Sequence, residues 1–154
     1  MAHDSSLIDP TVLVIYTDGA AKGNPGPAGA GAVIYNRDGI RLKTLSQPLG
    51  RTTNNVAEYR ALILALKEAE EIGGKQIRLY SDSELMVRQL KGEYKVKNMG
   101  LRPLYTQAVR QIKNFEEVNI SHLPREDNEE ANALADQASK MQSPEHRAQN
   151  PEGR

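Results

Sequence analysis

Apolar and polar positions along the chain fall into two periods, and the places where the period changes divide it into elements. Thr11–Thr17 reads Thr-Val-Leu-Val-Ile-Tyr-Thr, a β-branched and aromatic run of the kind that forms a strand covered on both faces at the centre of a sheet. It ends in Asp18-Gly19 and runs into Ala20-Ala21-Lys22-Gly23-Asn24-Pro25-Gly26-Pro27, a cluster of breakers that predicts a loop. Ala28–Asn36 and Ile40–Gln47 read as two further strands, with Asn36-Arg37-Asp38-Gly39 as the hairpin turn between them. Three strands with short connections predict an antiparallel meander.

A helical period begins after Thr52-Thr53-Asn54-Asn55. Thr53 or Asn54 is placed to cap this helix, and Gly73-Gly74 to stop it. Leu62, Ala65, Ala69 and Ile72 form its apolar stripe, and Glu58 lies on the same stripe one turn earlier. Gln76–Ser81 reads as a strand with Asp82 just past its end. Ser83–Leu90 reads as a short helix, with Ser81 and Glu84 spaced as a capping box. A basic connector, Lys91–Gly100, leads to a helix over Leu101–Phe115 with Pro103 near its start. Glu117–His122 is the last strand, and Asp127–Met141 the last helix, with Asp127 and Glu130 as a second capping pair. Met1–Pro10 is expected to be a flexible leader and Ser143–Arg154 a disordered tail, which leaves one domain over 11–142. The order predicts an α/β fold: a five-stranded mixed sheet, three antiparallel then two parallel strands, flanked by helices. Parallel pairing of the first, fourth and fifth strands puts Asp18 and Asp82 at one rim, where such sheets bind ligands.

Composition narrows the chemistry. In 154 residues, 20 basic side chains balance 20 acidic ones, so no global field draws nucleic acid, and any such contact rests on local patches. The absence of cysteine excludes disulfides and thiolate metal sites and fits a reducing compartment. No apolar run approaches the roughly 18–20 residues of a membrane span, and Met1–Pro10 lacks a signal peptide's apolar core. A soluble, cytoplasmic protein without a membrane partner is expected.

The anomalies are acidic. Asp18 points the same way as Val12, Val14 and Tyr16 on a buried strand, and an unpaired buried carboxylate costs several kcal/mol or takes a proton. Taken singly, each acid has an ordinary account. Asp82 can cap the next helix, Asp18 can accept from the turn after Gly19, and Glu58 can sit in a first helical turn for the macrodipole. Together, on two strand ends and a facing helix, they make an oxygen-rich site for a hard divalent ion. No histidine pair stands at ligand spacing, which argues against zinc. The loop Gly23-Asn24-Pro25-Gly26 is not a triphosphate-binding loop, because no Gly-Lys-Ser/Thr follows it.

With these pieces the chain resembles the type 1 ribonucleases H. The matching segments are Thr17-Asp18-Gly19 with Gly23–Pro27, Thr52–Glu58, Ser81-Asp82-Ser83, Val96-Lys97-Asn98 and His122–Ala135. The resemblance implies endonucleolytic cleavage of the RNA strand of RNA–DNA hybrids, giving 5′-phosphate and 3′-hydroxyl ends. It implies two Mg²⁺ ions per site, with Mn²⁺ as the alternative, and a protein expected to act as a monomer. Asp18, Glu58 and Asp82 match three of the family's four catalytic, metal-holding acids. Asn132 occupies the place of the fourth, within Asn128-Glu129-Glu130-Ala131-Asn132-Ala133-Leu134-Ala135. Read from its helix alone, Asn132 belongs to a solvated face. The resemblance further implies that Asn24, Asn54, Asn55 and Glu84 read the minor groove and its 2′-hydroxyls, that Gly19 binds substrate, and that Thr53 and Asn98 hold a DNA phosphate. His122 matches the family's proton-shuttling histidine by spacing, with Arg125 as the other candidate and a structural strand end as the alternative. The family's long basic protrusion is absent, since only Gly92–Lys97 lies between the two central helices, so a weaker grip on the hybrid is expected. Asn132 keeps a second reading open, a non-catalytic hybrid-binding module. A third is another nuclease of the same architecture.

Overall fold

The structure is a computed structural model that describes residues 11–141. The expected leader over 1–10 and tail over 143–154 lie outside the described residues. Five strands form one sheet: β1 (Val12–Ala21), β2 (Gly26–Asn36), β3 (Arg41–Thr52), β4 (Gln76–Ser81) and β5 (Glu117–His122), in the order β3-β2-β1-β4-β5. The β1–β2 and β2–β3 pairs are antiparallel, whereas β1–β4 and β4–β5 are parallel. The helices are α1 (Asn54–Ile72), α2 (Glu84–Leu90), α3 (Arg102–Ile112) and α4 (Glu129–Lys140), with a 3₁₀ turn at Arg125–Asp127 before α4. The α/β class, the meander and the parallel pairs are as the pattern predicts.

β1 is central and is covered on both faces. Leu13 and Ile15 face α1 and join Ile34, Tyr59, Leu62, Leu66, Ile77 and Leu79 in the main core. Each such side chain contributes roughly 1.5–3 kcal/mol when removed from water. The opposite face carries α4, which presents Ala131, Ala135 and Ala138 to the sheet. The alternating Gly-Ala sequence of β2 exists for this contact. A Cβ on Gly31 would stand 2.5 Å from Ala131 O and from Ala135 N, and one on Gly29 would stand 2.4 Å from Ala135 O. The α4 backbone therefore rests on the β2 backbone, too close for any side chain between them. Gly31 pairs with Asp18 across the β1–β2 ladder, so Asp18 lies on the α4 side of the sheet, beside the turn that holds Asn132.

Several boundaries differ from the expected ones, each for a local reason. Strand β3 continues to Thr52, beyond Gln47, because Gly50, Arg51 and Thr52 keep pairing with Ala28, Pro27 and Gly26. The α2 N-cap is Ser83, which accepts from Met86 N at 3.3 Å, while Ser81 Oγ accepts from Ser83 N at 3.0 Å. The expected Ser81–Glu84 capping box therefore does not form, and Glu84 pairs with Arg88 instead. Helix α3 ends at Ile112, short of Phe115. The expected Asp127–Glu130 capping pair is also absent. Asp127 closes the 3₁₀ turn, α4 starts at Glu129, and the Glu130 carboxylate is taken by Tyr35 and Arg41 from the sheet. For α1 the expected ends hold: Thr53 caps it through Val56 N, and Gly73 closes it with a left-handed φ of 102°.

Candidate functional site

The carboxyl end of β1 brings Asp18 to the sheet rim, and the parallel strand β4 brings Asp82 to the same rim through the Thr17–Ser81 register. Glu58 arrives from the first turns of α1. That helix can lie against β1 because residue 19 is glycine: a Cβ there would stand 2.2 Å from the Ala57 carbonyl carbon and 2.3 Å from Glu58 N. Gly19 N donates to Glu58 Oε1 at 3.1 Å, which fixes the carboxylate. One oxygen each from Asp18, Glu58 and Asp82 lie within 4.8 Å of one another, the only such acid cluster among the described residues. This is the convergence that the sequence predicts.

The electrostatics of the cluster are those of a site built for a cation. Asp18 is 1 % exposed, and neither of its carboxylate oxygens has a hydrogen-bond partner. Burial, reinforced by the neighbouring Asp82 charge, pushes the Asp18 carboxyl up to about 7. Burial and the charges of Asp18 and Asp82 likewise raise Glu58 well above the usual carboxylate range. Asp82 does not cap α2, since Ser83 does, and Glu58 is nearly as buried as Asp18. The ordinary accounts of the three acids thus fail one by one. Orphaned buried carboxylate oxygens in an all-oxygen set fit a hard divalent cation, which satisfies lone pairs and repulsion together.

Around the acids stand residues from the last loop and helix. Arg125 Nη1 lies 4.0 Å from Asp82 Oδ2, a long contact from an exposed side chain. Asn132 is half-buried, its Nδ2 donates to Arg125 O at 3.0 Å, and its Oδ1 is buried without a partner. It is therefore not part of a solvated face, because the preceding turn folds back over it. Asn128 is the residue that sequence reasoning missed. It is 2 % exposed, and its Nδ2 donates to Thr17 O at 2.9 Å and to Asp82 Oδ2 at 3.5 Å. The signal was there: Asn128, Ala131, Ala135 and Ala138 share one stripe, so Asn128 is a polar residue on an apolar face, as Glu58 is.

The remaining candidates have the following local settings. Asn24 Oδ1 accepts from Asn54 N at 3.0 Å, and Asn54 Oδ1 accepts from Ala21 N at 3.0 Å, which pins the Gly-rich loop to the start of α1. Lys22 of that loop is ion-paired with Asp136 of α4. Asn55 and Glu84 are exposed at the starts of α1 and α2. Asn98 Oδ1 accepts from Gly100 N at 2.7 Å and from Leu101 N at 3.2 Å, shaping the approach to α3. His122 pairs with Ser81 in the β4–β5 register and is exposed at the strand end.

A family profile described as reverse transcriptase-like matches residues 16–138. The crystal structure of RNase H1 from Halobacterium salinarum superposes with a TM-score of 0.82 at 40 % identity, covering 84 % of this chain and 98 % of that one. The chain belongs to the type 1 ribonuclease H family. Its ribonuclease H domain is also similar to part of the bifunctional protein Rv2228c of Mycobacterium tuberculosis, at 43 % identity over 127 residues. That match covers 82 % of this chain but 35 % of Rv2228c, so the chain spans about a third of that relative's length. The N-terminal RNase H domain of Rv2228c, solved as a fusion with maltose-binding protein, gives a TM-score of 0.81 with 83 % of this chain and 98 % of that one covered. LC11-RNase H1, solved in complex with an RNA/DNA hybrid, gives 0.79 at 41 % identity, with 83 % and 96 % covered.

Proposed function

We propose that the chain hydrolyses the RNA strand of RNA–DNA hybrids internally, leaving 5′-phosphate and 3′-hydroxyl ends, at a site where Asp18, Glu58, Asp82 and Asn132 hold Mg²⁺ or Mn²⁺. One observation carries the reading: Asp18 presents two buried, unpartnered carboxylate oxygens next to two further carboxylates at the rim of the sheet. A structural ribonuclease H-like scaffold has no need of this arrangement, since three crowded carboxylates, with Asp18 unsatisfied, cost stability. Bound divalent ions supply charge neutralisation at the scissile phosphate and an activated water at neutral pH.

The chain's own groups do the rest. Gly19 N orients Glu58, and Asn128 orients Asp82 while tying it to the β1 backbone. Arg125 stands beside Asp82, where its guanidinium suits a backbone phosphate. Asn55 and Glu84 offer exposed polar groups to the 2′-hydroxyls that distinguish RNA from DNA. Gly19, Asn24 and Asn54 are assigned as further substrate contacts, and Thr53 and Asn98 as contacts to a phosphate of the DNA strand. His122, at the exposed end of β5, is the proton-shuttle candidate, with Arg125 as its alternative.

Asn132 favours one competing reading, a module that binds hybrids without cutting them. Internally labelled RNA–DNA hybrid, duplex DNA, duplex RNA and single strands, each incubated with Mg²⁺ or Mn²⁺, separate the two. Internal cuts confined to the RNA of the hybrid are expected. Retention of the hybrid without cleavage in either metal would replace the enzyme with the binding module.

A further inference from the structure

The acid cluster has one built-in counter-charge. Among the described residues, the only ion pair that Asp18, Glu58 or Asp82 makes is that of Arg125 Nη1 with Asp82 Oδ2, at 4.0 Å. Burial and then the Asp82 charge raise the Asp18 carboxyl, and Arg125 is the neighbouring charge that acts in the opposite direction. Its guanidinium thus supplies part of the neutralisation that a divalent ion supplies more fully. The two ends of this residue are held very differently. Its carbonyl accepts from Asn128 N and from Asn132 Nδ2, each at 3.0 Å, so its backbone is anchored to the start of α4. Its side chain is 72 % exposed, whereas that of Asp82 is 6 % exposed. The contact is also longer than the roughly 2.7–2.9 Å of a charge-assisted hydrogen bond. Attraction keeps the arm beside the cluster, and no short bond locks it there.

A guanidinium and a divalent ion beside the same carboxylates repel each other. We infer that Arg125 is an exchangeable counter-ion, which lies beside Asp82 while the acid cluster is free of metal and swings out toward the substrate phosphates when the cluster is loaded. The inference rests on the reading of Asp18, Glu58 and Asp82 as a metal site. It has two consequences of opposite sign. Detaching the arm from Asp82 subtracts from metal affinity, so Arg125 weakens the site that it serves. The detached arm, planar and permanently charged, is free to take a phosphate of the hybrid. Metal occupancy and substrate capture are then coupled, and by reciprocity a hybrid that draws Arg125 away tightens the hold on the ion.

Calorimetric titration of the metal-free full chain with Mn²⁺ and with Mg²⁺ reads the exchange without any cleavage. Arg125→Gln should tighten ion binding by about threefold to tenfold, whereas Arg125→Lys, which keeps the charge, should stay near the wild type. Arg37→Gln makes the same charge change in the hairpin at the opposite end of the sheet, next to the Leu13–Asn36 pair, and should leave the affinity unchanged. In the ¹⁵N-labelled wild type, the Arg125 Nε–Hε resonance should shift with the calorimetric midpoint. Equal or weaker binding in Arg125→Gln, an equal gain in Arg37→Gln, or an Arg125 resonance that ignores the metal would overturn the exchange and leave the metal site standing. No binding in the wild type or any variant would remove the metal site, and the exchange with it.

Discussion

At Asp18 burial and charge are in conflict. Its carboxyl is raised to about 7 by burial and then by the Asp82 charge, against an ordinary value of 3.8. The native state therefore keeps a proton that the unfolded chain has released. Without divalent ions, stability is expected to fall as pH rises from about 4 to about 7 and to stay low above that, a loss of roughly 1–3 kcal/mol. Urea denaturation across that range in metal-free buffer measures the slope, and Asp18→Asn should make it shallower, with the raised Glu58 carboxyl accounting for what remains. The same substitution removes a ligand charge while keeping the shape, so hybrid cleavage should drop by at least about a hundredfold with hybrid binding largely retained. Full activity in that variant would remove Asp18 from the mechanism. Asn132 makes the reverse case. Its oxygen is buried and orphaned, yet an amide brings no formal charge, so an ion that it helped to hold would be expected to bind weakly and to favour Mn²⁺. Calorimetric titration of the free protein with Mg²⁺ and Mn²⁺ should show tighter binding for Asn132→Asp than for the wild type, and superimposable isotherms would discard the idea.

At the scale of elements, the site depends on two backbone-to-backbone approaches, α1 on Gly19 and α4 on Gly29 and Gly31. Gly31→Ala should lift α4 from β2 and cost roughly 1–3 kcal/mol in chemical denaturation, more if the helix shifts as a unit. A variant as stable as the wild type would mean that α4 does not rest on β2 as closely as described. This level was only partly legible in the sequence. Strand β1 and helix α1 were legible because their apolar patterns are strong, and Glu58 stood out against its stripe. The stripe of α4 is alanine only, a weak contrast, so Asn128 did not stand out on it. The caps failed for another reason. Ser81 and Ser83 both offer a cap to α2, and the choice depends on where β4 releases the chain. Glu130, spaced to cap α4, is claimed by Tyr35 and Arg41 from strands nearly a hundred residues earlier. Asn132 needed the Arg125 turn to become buried, a tertiary fact that no helical wheel contains. The resemblance assigned Asn24 and Asn54 to the minor groove and Thr53 and Asn98 to a DNA phosphate, but it did not reveal that each already has a partner within the protein.

For the molecule as a whole, the three acids come from β1, α1 and β4, which are packed independently into the sheet and its covering helix. Their mutual repulsion acts against the packing that gathers them, and at Asp18, whose oxygens have no hydrogen-bond partner, the Arg125 charge offsets it only in part. An ion held by all three relieves the repulsion and links the elements, so it binds the folded state and not the unfolded one. Such a ligand stabilises by RT ln(1 + [L]/Kd), about 2.7 kcal/mol at a hundred times Kd. Protons compete for the same oxygens, so the gain should be larger at about pH 8 than at about pH 5.5. Thermal melts with rising Mn²⁺ or Mg²⁺ should therefore show a midpoint that climbs at the higher pH, climbs little at the lower one, and barely moves in Asp18→Asn. A midpoint that rises equally in the variant would place the ions elsewhere on the surface, and the acid cluster would then be a cost carried by the fold without a cation to offset it.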